Sequence, residues 1–498
     1  QHRSPHDLVT GSQLPQTSPC PLAAPTVEFL LSQASSPDSS QPPGRTDGER
    51  SFLDSTCLCC LPVVAVSRKE KTGPATTLRA GASTYMGRRP RRVKYVFLPF
   101  LVSAMRPSSF AVPGKAPVSR LVFGTLRLHE AERPYALLDE AWRLGIRAFD
   151  TARVYGAGEC EKILGEWLRG ATNDYGNGVF YDHDAAVLRR REATVVTKGG
   201  CGDGSTFWRP DLAKGSLRRE LEMSVRALGG TVDVYVLHRD ERERDVGEIC
   251  RTMQAFIDAE LINAWGVSNW HVDRIEEAIH YARSRGLAPP RCSSLQDSLA
   301  RPSQEPWPGT VYMDDRQRKW YARHKHDIAV LGWETLGKGF LAGRWNEDDL
   351  LAGDGDLLLR DRDRSRDDDL VLDDSSSVDV YSDSWREMRL KTAYLTEDNF
   401  RRRDRAALFA RAKGDFRPEH VAIAWCLAQD YEAHVITATV NPDHLRSNVR
   451  ALALHLSAQD VHWLTSGSTP DNLDLLAKAT AAAEQKKSSS SVLERVAR

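Results

Sequence analysis

From about residue 118 onward, apolar and polar positions alternate between two rhythms. Short β-branched runs follow the strand period, and the longer stretches between them follow the helical period. Ser119-Arg120-Leu121-Val122-Phe123-Gly124 reads as a first strand. Glu132 to Leu144 reads as a helix with Leu137, Leu138, Ala141 and Trp142 on one face, closed by Gly145 in the position that favours glycine. The same unit then repeats. Strand Ile146–Phe149 precedes helix Glu159–Leu168, Thr194–Thr197 precedes Lys214–Leu228, and Val232–Leu237 precedes Val246–Glu260. Ala264–Val267 precedes Val272–Arg285, and Ser293–Gln296 precedes, after a loop, Arg316–His326. Ile328–Trp333 precedes a long loop and Pro418–Gln429, and His434–Ala438 precedes Pro442–Leu452. Eight strand–helix units predict a closed parallel (β/α)8 TIM barrel.

Two insertions interrupt the pattern. Residues 172–191 fall between a helix and the next strand, so they belong to the bottom face. Residues 347–384 follow the seventh strand, so they belong to the face that carries chemistry in this architecture. That second stretch holds 14 Asp and Glu against 4 Arg and reads as a solvated loop. Residues 1–117 are rich in Ser, Pro, Thr and Gly with no sustained period, and they read as a disordered extension. The expected organisation is an extension over 1–117, a barrel over 118–470 and a tail over 471–498, where the Ala-rich stretch 477–484 frays. On this reading residues 1–117 are dispensable, and a chain starting near Pro113 folds.

Composition adds limits. The net charge of the 498 residues is zero, so no global field favours nucleic acid or a membrane surface. The neutrality is a balance, because residues 1–117 carry 14 Lys and Arg against 7 Asp and Glu. Nine cysteines without a framework spacing fit a reducing compartment, and Cys57, Cys59 and Cys60 lack partners at zinc-site spacing. No run is long enough to span a bilayer. Arg88-Arg89-Pro90-Arg91-Arg92 before the apolar stretch Val93 to Met105 has the look of a targeting segment. A cytoplasmic location is expected, with organelle targeting by 88–105 as the alternative. The sequence opens on Gln1, and Met86 and Met105 are candidate translation starts.

The strand ends carry the chemistry. Phe149-Asp150-Thr151-Ala152-Arg153-Val154-Tyr155 follows the second strand, Lys198 ends the third, and His238 ends the fourth. Tyr155 alone, with an ordinary phenol pKa of about 10, is a poor proton donor. An ammonium at Lys198 lowers that pKa, Asp150 orients the ammonium, and His238 offers a hydrogen bond to a substrate oxygen. Singly, each residue is more often structural: a capping Asp150, a surface Lys198, a satisfied His238. Together, in barrel order, they form a set suited to protonating a carbonyl oxygen. Ser268 and Asn269 end the fifth strand and Gln296 the sixth, where they can bind the carboxamide of a nicotinamide ring. Trp333 ends the seventh, where a flat ring can stack on that nicotinamide. Helix capping and core packing are the plain alternatives for these residues. No metal site is expected. Lys198-Gly199-Gly200-Cys201-Gly202-Asp203-Gly204-Ser205 lacks a P-loop ending and reads as a loop, with Cys201 a small inert residue.

The order and local words of these segments resemble the aldo-keto reductase superfamily over about residues 118–466. The resemblance is carried further by Ser298-Leu299-Ala300-Arg301-Pro302, Trp307-Pro308-Gly309, Trp320-Tyr321 and Gly339-Phe340-Leu341-Ala342-Gly343. It implies hydride transfer between NADP(H) or NAD(H) and a small carbonyl or alcohol substrate, with Tyr155 as general acid. It places Leu336 in the cofactor groove. Ile436 to Asn448 is similar to the family's adenosine-phosphate loop, so Thr439, His444, Arg446 and Asn448 become cofactor candidates. Ala438, Val440 and His444 stand where the family commonly has cations, so the choice between NADP and NAD stays open. Glu334 stands where a small hydroxyl residue is usual. It either turns outward or weakens pyrophosphate binding, with Lys338 as the offsetting charge. Two other readings remain: a non-catalytic dinucleotide-binding barrel acting as sensor or regulatory subunit, and a barrel isomerase or lyase.

Overall fold

A computed structural model describes residues 108–173, 179–201, 210–351 and 383–467. Eight parallel strands close on themselves: β1 (Leu121–Gly124), β2 (Ala148–Asp150), β3 (Thr194–Gly199), β4 (Val232–Leu237), β5 (Ile262–Ser268), β6 (Cys292–Gln296), β7 (Ala329–Trp333) and β8 (Ala433–Ala438). Each pairs with its neighbour in sequence, and β8 returns to β1 with Leu121 opposite Val435. The fold is therefore the (β/α)8 TIM barrel expected from the eight units.

Strand periodicity decides which side chains fill the barrel. Val234 and Val236 of β4 face the lumen, where they meet Val122, Ala148, Val196, Ala264, Cys292, Ala329 and Leu331. The alternate residues Tyr235 and Leu237 pack outward, in the layer between strands and helices that also buries Trp167, Trp265 and Phe149. Extending the lumen phase toward each C-terminal end selects Asp150, Lys198, His238, Ser268, Gln296 and Trp333. The site is thus the top layer of the same repeat that builds the core.

The bottom of the barrel is closed by a segment expected to be disordered. Residues 108–117 are ordered against the lumen. Phe110 and Val112 are 3% and 2% exposed and join the lumen cluster. The Val118 N–H donates to the Phe110 carbonyl (2.9 Å), and Lys115 Nζ donates to the carbonyls of Arg190 (2.7 Å) and Ala193 (2.8 Å). The expected extension over 1–117 therefore includes residues that pack on the barrel, 108–117, because two apolar side chains amid Pro, Gly and Ser give no periodic signal.

Beneath the apolar plug lies Glu432. It accepts from the Ser109 N–H (3.1 Å), the Ser109 hydroxyl (2.9 Å) and Arg120 (3.2 Å), with His434 Nε2 at 3.3 Å. Burial alone would raise this carboxyl, but His434, Arg120 and Ser109 together lower it to about 2. The folded value lies below the unfolded one, so the stabilisation is present above the ordinary carboxylate pKa of about 4.3 and is lost as pH falls toward 2. Glu432→Gln should therefore lower the urea midpoint at pH 7, and the gap from wild type should shrink between pH 5 and pH 3. A gap that stays constant over that range would assign the effect to packing.

The long loop expected after β7 is a correction. Two helices, Asp383–Tyr394 and Glu397–Ala412, occupy its second part, and Ala458–Ser466 adds another after β8. Glu397–Ala412 carries arginines around most of its circumference, which hides an apolar stripe reduced to Phe400, Ala406, Phe409 and Ala410. The 172–191 insertion forms an antiparallel ribbon, Ala171–Asn173 with Val179–Tyr181, and a helix, His183–Glu192. The targeting-like stretch 88–105, the cysteines at 57–60, most of the acidic run, the end of the Gly-rich run and residues 477–484 lie outside the described residues. Among the described residues, no helix is long and apolar enough to cross a membrane.

Candidate active site

Lys198 sits at the centre of the upper lumen, 2% exposed. Its Nζ lies 2.7 Å from both carboxylate oxygens of Asp150, and it donates to the Thr151 carbonyl (2.9 Å) and to Tyr155 Oη (3.3 Å). Burial alone would lower the lysine pKa. Asp150 and Tyr155 outweigh it and hold the ammonium above its ordinary value. The Tyr155 phenol moves up. Burial raises it and Lys198 pulls it back only in part. The sequence reading had Lys198 lowering this pKa. The direction is reversed because desolvation of a phenolate outweighs one nearby cation. A raised pKa keeps Tyr155 protonated at neutral pH, and it also makes the phenol a weaker acid than the sequence reading expected.

His238 meets the Tyr155 ring edge-on at 5.9 Å, and its Nδ1 has no hydrogen-bond partner among the described residues. Burial, then the charges of Lys198 and Arg239, hold the imidazole well below its ordinary pKa. It is neutral at pH 7 and can donate a hydrogen bond without carrying charge.

The turn that carries Tyr155 is built rather than free. Gly156, Ala157 and Gly158 have φ of 55°, 52° and 96°. At φ 96° a side chain at Gly158 would be strained, and its Cβ would fall 1.9 Å from Arg153 Nη1, so the turn favours glycine there. Arg153 donates to the Ala157 carbonyl (3.1 Å) and to Glu161 (3.0 Å). Glu161, fully buried, also takes the Thr197 hydroxyl (2.6 Å). The chain Arg153–Glu161–Thr197 ties the turn to β3 beside Lys198. Sequence reading missed it, although Glu161 on an apolar helix face was a visible signal.

The expected cofactor residues divide. Ser268, Gln296 and Trp333 stand on adjacent strand ends facing the lumen. Asn269 adopts φ 60° and spends its side chain on protein: Nδ2 donates to the His238 carbonyl (3.3 Å) and Ser268 Oγ (3.0 Å), and Oδ1 accepts from the Val311 N–H (3.2 Å). It orders β5 against β4 and the loop after β6. Gln296 donates through Nε2 to Tyr394 Oη (3.2 Å), a partner that sequence gave no hint of. Leu336 is half-buried in the loop after β7. Glu334 turns neither outward nor toward an open groove. It accepts from Trp307 Nε1 (2.7 Å) and Tyr394 Oη (2.8 Å), with Lys338 Nζ at 3.4 Å.

Around β8, Asn448 Nδ2 donates to Thr437 Oγ1 (2.7 Å) and so braces the strand. Thr439 Oγ1 accepts from the Asn441 N–H (3.0 Å) and shapes the turn before the helix Pro442–Val449, and His444 is exposed. Arg446 is paired with Glu140 (2.6 Å) and Asp443 (2.6 Å). Both carboxylates lie within the helix pair that flanks β1 and β8.

The donor set fits a nicotinamide. A half-buried indole stands beside a buried hydroxyl and an amide whose Oε1 takes no hydrogen bond from a described residue. Among the described residues, no group of His, Cys, Asp and Glu is arranged to hold a metal ion.

The site and the barrel meet in the comparisons with known proteins. The sequence model of the Aldo/keto reductase family matches residues 120–467, and the chain belongs to that family. One relative is a Schizosaccharomyces pombe protein named as a candidate voltage-gated potassium channel subunit beta, 22% identical over 376 residues, 75% of this chain and 91% of the relative. Among solved structures, an aldo-keto reductase from Bacillus halodurans in its holo form is 20% identical with TM-score 0.48, covering 71% of this chain and 94% of that one. A candidate 2,5-diketo-D-gluconic acid reductase B is 16% identical with TM-score 0.47, covering 74% and 92%.

Proposed function

We propose that the chain is an NAD(P)H-dependent oxidoreductase that reduces a small aldehyde or ketone to an alcohol, or runs the reverse. The Lys198 ammonium between Asp150 and Tyr155, with neutral His238 on the far side of the phenol, carries the reading. Bound dinucleotide supplies the hydride. Tyr155 gives its proton to the carbonyl oxygen, Lys198 stabilises the phenolate left behind, and His238 donates a hydrogen bond to the same oxygen. Ser268, Gln296 and Trp333 would hold the ring, Leu336, Thr439 and His444 would line the rest of the groove, and Asn448 would brace β8 behind it through Thr437. Among the described residues, five buried free cysteines support a cytoplasmic setting.

The test is a calorimetric titration with NADPH and NADH, followed by a panel of aldehydes and ketones with oxidation of the reduced cofactor as readout. Binding without turnover of any carbonyl would favour the second reading, a dinucleotide-sensing regulatory barrel. The name of the S. pombe relative supports that reading. No binding of either dinucleotide would sink both.

Cofactor choice has its own expected outcome. Arg446 is the cation best placed in the β8 helix, and it is already engaged by Glu140 and Asp443. A 2′-phosphate recruits it only by displacing those carboxylates, so discrimination between NADPH and NADH should be small. Glu140→Gln should improve NADPH binding about two- to fivefold and leave NADH unchanged. An unchanged ratio would place the 2′-phosphate against another group.

A further inference from the structure

Gln296, Tyr394 and Glu334 come from three distant parts of the chain and form one directional hydrogen-bond chain at the top of the barrel. Gln296 ends β6, Glu334 follows β7, and Tyr394 is the last residue of the helix Asp383–Tyr394, fully buried. Glu334 adopts φ 54°, a costly conformation for a residue with a side chain. Its carboxylate accepts at both oxygens: Trp307 Nε1 at Oε1 (2.7 Å), with Lys338 near the same atom (3.4 Å), and Tyr394 Oη at Oε2 (2.8 Å). A tyrosine has one proton. Burial and the Glu334 carboxylate push the phenol well above its ordinary pKa, so that proton stays. It is committed to Glu334, and the Tyr394 oxygen can then only accept. Among the described residues, the one further group that reaches it is the Gln296 side chain, which must present Nε2 (3.2 Å). Nε2 toward Tyr394 turns Oε1 the other way, and Oε1 takes no hydrogen bond from a described residue.

We propose that Glu334 and Tyr394 are positioning residues that fix the polarity of the Gln296 amide, so that the lumen is offered an acceptor and selects a ring substituent bearing an N–H donor. The inference rests on the dinucleotide reading above. It makes the nicotinamide carboxamide, rather than any carbonyl-substituted pyridine, the group the site is built for. Without the relay an amide can flip and serve a donor or an acceptor equally. The strained Glu334 backbone becomes the cost of that selection.

The test compares binding of NADH with that of the reduced 3-acetylpyridine analogue, which keeps the carbonyl and lacks the N–H, by calorimetry on the full chain. Wild type should favour NADH about five- to tenfold, the worth of one buried hydrogen bond. Tyr394→Phe removes the acceptor that holds Nε2, and the ratio should fall to within about twofold. Glu334→Gln, whose amide can donate to Tyr394 and release its proton toward Gln296, should do the same with every ring of the wild-type protein kept in place. Thermal unfolding of both variants checks that they are folded. Should Tyr394→Phe be unfolded, the Glu334→Gln ratio decides alone. A ratio that both variants leave at the wild-type value overturns the relay and leaves the cofactor reading standing. A wild-type protein that binds neither dinucleotide overturns the cofactor reading and the relay with it.

Discussion

Tyr155→Phe should lower carbonyl turnover by about a hundredfold or more while leaving dinucleotide affinity within about twofold. The substitution removes one oxygen and one proton and keeps the ring that meets His238 at 5.9 Å. Lys198 loses a 3.3 Å contact but retains Asp150 and the Thr151 carbonyl, so the buried charge stays paired. The pH profile gives an independent reading. Burial raises the Tyr155 phenol, so the donor form persists through neutral pH and the reduction rate should fall only in the alkaline range. That alkaline limb should be missing from the residual activity of the variant. Near-normal turnover would move the proton donor to His238. A neutral imidazole is a weak acid, however, and its depressed pKa works against that role.

Much of this site could be read from the chain because a barrel converts strand phase into position. Asp150, Lys198, His238, Ser268, Gln296 and Trp333 each end a short apolar run, and each shares parity with the lumen residues beneath it. A one-dimensional pattern therefore places six side chains in one layer. What stayed hidden depends on groups that meet only in three dimensions. Tyr394 ends a helix whose amphipathic signal is weak, and nothing in its neighbourhood announces Glu334 or Gln296. The inward turn of Glu334 was unreadable because a carboxylate after a strand is usually solvated, and its donors lie 27 and 60 residues away. The pairing of Arg446 was hidden for the same reason, because its partner Glu140 lies 306 residues earlier. The direction of the Tyr155 shift also eluded the sequence. Which of two opposed effects dominates depends on burial, and burial is a property of the closed barrel.

The largest stability effect is expected at the opposite end of the barrel. A chain beginning at Ser108 should match the full-length protein in urea, whereas one beginning at Val118 should lose about 3–6 kcal/mol, the worth of burying one phenylalanine and one valine. The apolar loss is compounded by polar groups left behind. Glu432 would lose both Ser109 donors. Asp233, whose carboxyl burial already raises, would lose the Lys115 ammonium at 3.4 Å. Either loss leaves a buried acceptor short of partners, which is costlier than never having made the bond. Two point variants separate the contributions. Phe110→Ala should cost about 3–5 kcal/mol through the cavity it opens over Val122, Ala148 and Val196. Lys115→Met should cost less and should narrow its gap from wild type as the pH is lowered and Asp233 takes up a proton. Burial raises that carboxyl and the lysine opposes the rise, so the Asp233 share of the loss falls away once the group is protonated, and the lost donation to the Arg190 and Ala193 carbonyls remains. Equal urea midpoints for the chains starting at 108 and 118 would show that the barrel bottom closes without this segment, and the plug would then be an ornament of the fold.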